Sequence, residues 1–159
     1  MPSSVIYPSY DEVFEIYQKT IDHSGGGLFG IRDCGGIEFV LAAIRNDEYY
    51  PDFVAKLTHL VFSFCSGHYF VDGNKRIAIA LGTVFLIRNG YLLSSCTFMA
   101  EMETVILHVA AGHIKEDLLA KKISSIVVGN EMDEEAKLEL AKAMDISAGY
   151  SIFKEGPVE

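Results

Sequence analysis

The chain has 159 residues, of which 50% are hydrophobic and 22% charged, the composition of one globular domain with a substantial core. Its net charge of −9 argues against direct binding to nucleic acid, because nucleic-acid-binding domains carry a basic surface. Three scattered cysteines without a Cys-x-x-Cys pair, and a start that lacks a signal-peptide pattern, exclude a disulfide framework and favour the cytoplasm.

The first half of the chain is predicted to form three helices. Ser9 followed by Glu12 is a capping box that starts the first helix. A second helix is expected after Asp33 as its N-cap, and a third between Pro51 and Gly67. Their apolar positions recur at helical spacing and are Val13, Ile16, Tyr17 and Ile21, then Ile37, Val40, Leu41 and Ile44, then Leu57, Leu60, Val61 and Phe64.

The middle of the chain contains a glycine-rich run and a strongly apolar helix. Residues 24–30 hold too much glycine for regular structure and are expected to form a loop. Residues 75–89 are apolar on nearly all sides, which predicts a central helix buried by the others. The apolar stretch within it is too short to cross a bilayer, so no membrane span is expected.

After the central helix, residues 91–95 are expected to be extended, and Thr97 is expected to cap the next helix, which Gly112 ends. Two more helices are predicted, over residues 115–127 and 131–144. The fold class is therefore all-α, a single helical bundle around a central buried helix, with at most a small β-hairpin flap.

The acidity is concentrated near the C-terminal end. Residues 127–159 hold eight carboxylates and three lysines, a net charge of −5, whereas the preceding 126 residues carry −4. This shift in composition predicts a main domain over residues 1–127 and an acidic helical appendage over residues 128–159 in the same compact unit. The appendage has one narrow apolar face for docking, formed by Ala136, Leu140, Ala143 and Met144.

A candidate anion site lies at the start of the central helix. The first backbone N–H groups of a helix are unpaired and point outward, and Gly73 and Asn74 stand where these groups begin. Glycine permits close approach of a ligand to the backbone, and Lys75 and Arg76 add two positive charges at the same place. Cations there oppose the helix dipole, so an anion is needed to compensate them.

Two further residues of the same loop suit chemistry on a phosphate. Asp72 offers a hard oxygen ligand for a magnesium ion shared with phosphate oxygens. His68 is the loop residue whose usual pKa fits it to accept a proton from a hydroxyl near neutral pH. Each has a structural alternative, since a histidine beside a helix end is often only hydrogen-bonded and an aspartate there is often a cap. Phe70 is expected to be a core anchor.

The order His68-Tyr69-Phe70-Val71-Asp72-Gly73-Asn74-Lys75-Arg76 resembles the signature of the Fic/Doc superfamily. The lysine after asparagine is typical of the death-on-curing, or Doc, branch of that superfamily. Flanking segments such as 30–33 and 85–91 also look like the family, and the resemblance covers roughly residues 8–127. Tyr69 is a departure, because proline is common at this position in the family.

The resemblance implies a transferase that uses ATP and Mg²⁺, with His68 as general base and Asp72 as the metal ligand. Gly73, Asn74, Lys75 and Arg76 would bind the phosphates. Fic enzymes that transfer AMP have glycine in place of Lys75 and arginine in place of Ile79, so we expect Doc-like transfer of a phosphate to a protein Ser, Thr or Tyr hydroxyl. The alternatives are AMP transfer and a non-catalytic Fic-fold binding protein.

The resemblance also implies partners and a regulatory element. Doc-like proteins usually have a small antitoxin, and the sequence leaves assembly into a homo-oligomer open. Residues 151–156 resemble the inhibitory motif of Fic proteins, in which Glu155 would be the inhibitory glutamate. The alternative for this segment is a solvated tail or a dimer contact.

Overall fold

The computed structural model describes residues 4–23 and 26–154, with side chains described as far as residue 145. Within these residues it has seven helices and no strand. One isolated antiparallel bridge pairs Ile31 with Phe70. The helices are α1 (Tyr10–His23), α2 (Cys34–Ala43), α3 (Phe53–Ser66), α4 (Asn74–Arg88), α5 (Leu92–Ala110), α6 (Glu116–Val128) and α7 (Glu134–Lys154). The all-α fold class is confirmed.

Side-chain caps define the starts of the early helices. The predicted capping box is present, since the N–H of Glu12 donates to Ser9 Oγ and the N–H of Ser9 to Glu12 Oε2, both at 3.2 Å. The carboxylate of Asp33 accepts from the N–H of Gly36 at 2.9 Å and so starts α2. In the same way, Asp52 caps α3.

Helix α4 is the centre of the domain and packs against α1, α3 and α5. Gly82 brings its neighbours close, because a Cβ atom at this position would lie 2.7 Å from the ring of Phe98 and 2.9 Å from Val61. Because this helix is buried on several sides, it has apolar residues on nearly all of its faces and no distinct polar face, as the sequence predicted. Its fully buried side chains include Ile77, Ala78, Leu81 and Leu86.

Helix α5 begins earlier than the sequence indicated. The prediction of an extended segment over residues 91–95, with Thr97 as a cap, is wrong. Gly90 takes a φ of 89° and reverses the chain, and Tyr91 N-caps α5 with its ring stacked 4.7 Å from that of Phe53. The N–H of Ser95 then donates to the carbonyl of Tyr91 at 2.9 Å and closes the first turn.

By length and composition alone, α5 could cross a membrane, with a mean hydropathy of 1.2 over its apolar window. In the structure, one side of this helix packs against α3, α4 and α6. Its apolar character is that of a core helix, and the side chains that it buries are Phe98, Met102, Val105, Ile106 and Val109.

Helices α6 and α7 cover the far side of the domain. Gly129, at a φ of 77°, ends α6, and Asp133 starts α7 by accepting from the N–H of Ala136 at 2.7 Å. Ala136 and Ala143 are buried where α7 packs against α5 and α6. Helix α7 extends well past the predicted end at Met144. The division into a main domain and an appendage stays a prediction.

Candidate active site

The loop between α3 and α4 surrounds a small pocket of about 180 Å³. Every candidate residue that the sequence placed in this loop contributes to the pocket wall, together with one residue each from α3 and α5. The lining residues are Cys65, His68, Val71, Asp72, Gly73, Asn74, Lys75, Arg76 and Ala110.

The pocket receives the positive end of the central helix. Gly73 is the N-cap of α4 with a φ of 82°, a left-handed conformation that favours glycine, and no side chain caps this end. The first turn contains no acidic residue, so nothing in it balances the helix dipole. Backbone N–H groups are thus left available for an anion at the same point.

The two cations of the first turn differ in their surroundings. Within the described part of the chain, the ammonium of Lys75 makes no hydrogen bond or ion pair. The guanidinium of Arg76 donates to the carbonyl of Gly26 at 2.9 Å and lies 3.7 Å from Asp72 Oδ1. Because this carboxylate is half exposed, the ion pair contributes little to stability. The charge imbalance expected from the sequence is present in the structure.

The carboxylate of Asp72 faces both the loop and the pocket. Its Oδ1 atom accepts from the N–H of Gly73 at 2.7 Å, one residue on, so Asp72 does not cap α4 in the usual way. The described residues contain no group of three or more potential metal ligands. A single carboxylate fits magnesium, which commonly takes one or two carboxylates and completes its shell with water and phosphate oxygens.

His68 stands at the mouth of the pocket in an unusual backbone conformation. It is the one non-glycine residue with positive φ in the part of the chain that is described, at 53°. This conformation costs about 1–2 kcal/mol, so the surrounding structure must enforce it. The exposed imidazole makes no hydrogen bond or ion pair within the described residues, which leaves it available to a substrate hydroxyl.

Asn74 holds the loop together through its side chain. Its amide Oδ1 accepts from the N–H of Phe70 at 3.1 Å, and its Nδ2 donates to the Phe70 carbonyl at 3.0 Å. Phe70 itself is fully buried, as expected of a core anchor. The Asn74 side chain is therefore committed to loop geometry, and the backbone N–H of Asn74 is the group that remains for the predicted phosphate contact.

Tyr17 is a site residue that the sequence reasoning missed. Its ring is fully buried and stacks on Phe70 at 4.0 Å and on Phe29 at 5.2 Å. Its hydroxyl lies 3.0 Å from the carbonyl of Asp72 and accepts from the N–H of Gly30 at 3.3 Å. Tyr17 thus ties the glycine-rich segment to the active loop. A tyrosine among aliphatic positions of a buried helix face was a signal, because its hydroxyl needs a partner.

Cys65 lines the pocket but does not suit nucleophilic chemistry. Burial raises the pKa of this thiol to about 11, although the nearby Lys75 ammonium acts in the opposite direction. The thiol lies 3.7 Å from the carbonyl of Ile106 and stays protonated at neutral pH.

Residues 26–33 run alongside the active loop. The Val71 N–H donates to the Gly30 carbonyl at 2.9 Å, and the Arg32 N–H donates to the Tyr69 carbonyl at 2.7 Å. Gly27 comes closest to the reactive groups, because a Cβ atom added there would lie 2.5 Å from Asp72 Oδ2 and 3.2 Å from Arg76 Nη2. A side chain at residue 27 would therefore displace the carboxylate.

This close approach gives a prediction for Gly27→Ala. The methyl group should move the Asp72 carboxylate and weaken magnesium-dependent nucleotide binding about tenfold, as loss of support for a metal ligand commonly does. The control is Gly26→Ala, because an added Cβ at Gly26 has nothing within 4 Å. The φ of 73° at Gly26 strains alanine less than the φ of 132° at Gly27, so the comparison includes a difference in backbone strain as well as in space. Calorimetric titration with Mg·ATP measures both variants. Equal affinity in the two would contradict a role for the space at Gly27.

The domain is all-helical, and its α3–α4 loop brings His68 and Asp72 to the N-terminus of α4. Comparison with known sequences identifies the family to which this domain belongs. Residues 7–86, just over half of the chain, match the model of the Fic/DOC family. The chain belongs to the Fic/Doc family, whose members are transferases.

Two relatives fall in the Doc branch. The chain is 30% identical over 98 residues to "Protein kinase doc" of Escherichia phage P1, an alignment that covers 59% of this chain and 76% of the relative. It is also 30% identical over 103 residues to "Toxin Doc" of Mycolicibacterium smegmatis. This alignment covers 62% of the present chain and 79% of the relative. The resemblance to the death-on-curing branch is thereby confirmed.

Proposed function

We propose that this protein transfers the γ-phosphate of ATP to a Ser, Thr or Tyr hydroxyl of another protein in the cytoplasm. One observation carries the proposal. The N-terminus of α4, the ammonium of Lys75 and the imidazole of His68 all border one pocket, and within the described ranges neither side chain has a hydrogen-bond or ion-pair partner. Phosphoryl transfer needs positioning and neutralisation of charge more than covalent help from the protein, and this arrangement provides both.

Each residue has a distinct part in the proposed reaction. The imidazole of His68 takes the proton of the acceptor hydroxyl as the hydroxyl oxygen attacks the γ-phosphorus of ATP. The bond from this phosphorus to the β,γ-bridging oxygen breaks, and ADP leaves with that oxygen. The backbone N–H groups at the start of α4, with Lys75 and Arg76, hold the phosphate oxygens and the charge that develops on them. Asp72 would hold magnesium, and a bound magnesium ion would neutralise part of the phosphate charge.

Two positions favour phosphate transfer over AMP transfer. Lys75 is exposed at the pocket, where its side chain occupies space that glycine would leave open. Ile79 is half-buried against the core, so this position offers no guanidinium to a terminal phosphate. The phage relative carries the name of a protein kinase, which supports the same choice.

The proposal predicts which phosphorus is transferred. Incubation of the purified protein with bacterial lysate and ATP labelled at either the α or the γ position should label a protein from γ-labelled ATP alone. Autoradiography of a denaturing gel measures this result. Label that arrives from α-labelled ATP would show AMP transfer instead, and no label from either would support a non-catalytic binding protein.

The second relative is named a toxin, and we propose the same role for this chain, with an antitoxin partner that covers the active-site groove. Assembly into a homo-oligomer remains compatible with the proposal. The predicted inhibitory residue Glu155 lies outside the described residues, and its role stays a prediction.

A further inference from the structure

The two neighbours of His68 in the chain, Gly67 and Tyr69, are fixed by different backbone hydrogen bonds. On its N-terminal side, the N–H of Gly67 donates to the Ser63 carbonyl at 2.8 Å and ends α3. On its C-terminal side, the carbonyl of Tyr69 accepts from two backbone groups, the N–H of Arg32 at 2.7 Å and that of Asp33 at 3.0 Å. The chain direction on both sides of His68 is thus set by Gly67 and Tyr69.

The ring of Tyr69 fills a slot between two glycines. A Cβ atom on Gly67 would lie 2.5 Å from the ring, and one on Gly36 would lie 2.6 Å from it. The ring also meets Phe64 edge-on, with 5.3 Å between centroids. Any larger residue at position 36 or 67 would collide with this ring, so the two glycines provide the space that the ring occupies.

Polar groups at the far end of the slot add to this arrangement. Burial raises the pKa of Tyr69, the carboxylate of Asp33 adds to this effect, and a hydrogen bond with the Ser63 side chain opposes it. Ser63 Oγ lies 3.5 Å from His59 Nε2, and His59 Nδ1 lies 2.7 Å from Glu116 Oε1. The slot is therefore backed by a chain of contacts that reaches from α3 to α6.

We infer that Tyr69 is the positioning residue for His68. Its ring, held between Gly36 and Gly67 and against Phe64, keeps His68 in the left-handed conformation and its imidazole at the pocket. The backbone cost of that conformation is met by the packing of the next residue rather than by any contact of the imidazole itself. The kinetic test of this role rests on the proposed function, because it measures phosphate transfer. The NMR test of the His68 backbone does not.

Tyr69→Ala tests the inference by removing the ring. With its base misplaced, the variant should lose about a hundredfold in kcat for phosphate transfer while KM for ATP changes less than about twofold, because the phosphate-binding groups belong to α4. A second readout does not depend on activity. The intraresidue NOE between the amide and α protons of His68 is strong at positive φ, because these two protons then lie close together, and it should weaken in Tyr69→Ala but not in Tyr69→Phe.

A pair of glycine variants keeps the test valid if Tyr69→Ala does not fold. Gly36→Ala places a methyl group 2.6 Å from the ring and also 2.6 Å from Asp33 Oδ2, whereas Gly35→Ala meets nothing closer than Asp33 Oδ1 at 3.6 Å. Both gain the same helix propensity. The intraresidue amide–α proton NOE of His68 should weaken in Gly36→Ala and not in Gly35→Ala, and combining Gly36→Ala with Tyr69→Ala should remove the difference. The double variant with Tyr69→Ala separates the effect of the ring from that of the carboxylate. An unchanged NOE in Gly36→Ala, or in a folded Tyr69→Ala, overturns the inference even if the protein transfers no phosphate.

Discussion

Replacing His68 by alanine should lower the rate of phosphate transfer by about 10²–10⁴-fold, the usual contribution of a general base. The affinity for Mg·ATP should stay within about twofold, because a base acts on the transition state and, among the described residues, the imidazole makes no hydrogen bond or ion pair to the phosphate-binding loop. Because the His68 imidazole is exposed, its replacement by alanine leaves no cavity in the core. Transfer rates from γ-labelled ATP and calorimetric titration measure the two quantities.

The control for this variant is His113→Ala, which removes an exposed histidine outside the pocket. It should leave both rate and affinity as in the parent. If His68→Ala retains parental activity, then another group removes the proton and the assignment of the base is wrong.

Arg76→Ala should weaken Mg·ATP binding by about 10–100-fold, the loss expected when a charge-assisted hydrogen bond to phosphate is removed. In the parent, Arg76 must give up its hydrogen bond to the Gly26 carbonyl to bind phosphate. This exchange offsets part of the binding free energy that Arg76 contributes. The difference between parent and variant should shrink as salt is added, since a charge is involved. Titrations at low and high ionic strength measure it.

Arg88→Ala is the matched control, because Arg88 lies at the other end of the same helix and pairs with Glu12 at the surface. Its loss should cost less than about 1 kcal/mol of stability and leave nucleotide binding unchanged. If Arg76→Ala behaves like Arg88→Ala, with a lower melting temperature and intact binding, then Arg76 is part of a structural helix end and not of a phosphate site.

The helices were largely predictable because burial of one face imposes a period of 3.6 residues on the sequence. Val13, Ile37 and Leu57 all lie in the core at positions that this period assigns to it. The start of α5 was missed because its N-cap is Tyr91, which makes no side-chain capping hydrogen bond. A helix start without a Ser, Thr, Asp or Asn cap leaves no such signal in the sequence.

The residues of the site were predictable where they lie in one loop, and less so where they come from elsewhere in the chain. The contact between Tyr17 and Asp72 joins residues 55 positions apart, and no local pattern encodes it. The closeness of Gly27 to Asp72 also depends on how α1 and α4 pack. Asn74 carries a side chain suited either to a ligand or to the backbone, and three-dimensional contacts were needed to show that it binds Phe70.

The segment that identifies the family and the unit that folds independently are different lengths of this chain, because α4 packs against a helix outside the family match. The family match ends at residue 86, yet α5 covers one side of α4, and α6 is joined to α3 through the contact of Glu116 with His59. A fragment cut at the family boundary would keep every reactive group of the loop and still expose much of the core that supports them. The smallest unit capable of cooperative folding is thus larger than the segment by which the family is identified, and expression designs should follow the larger one.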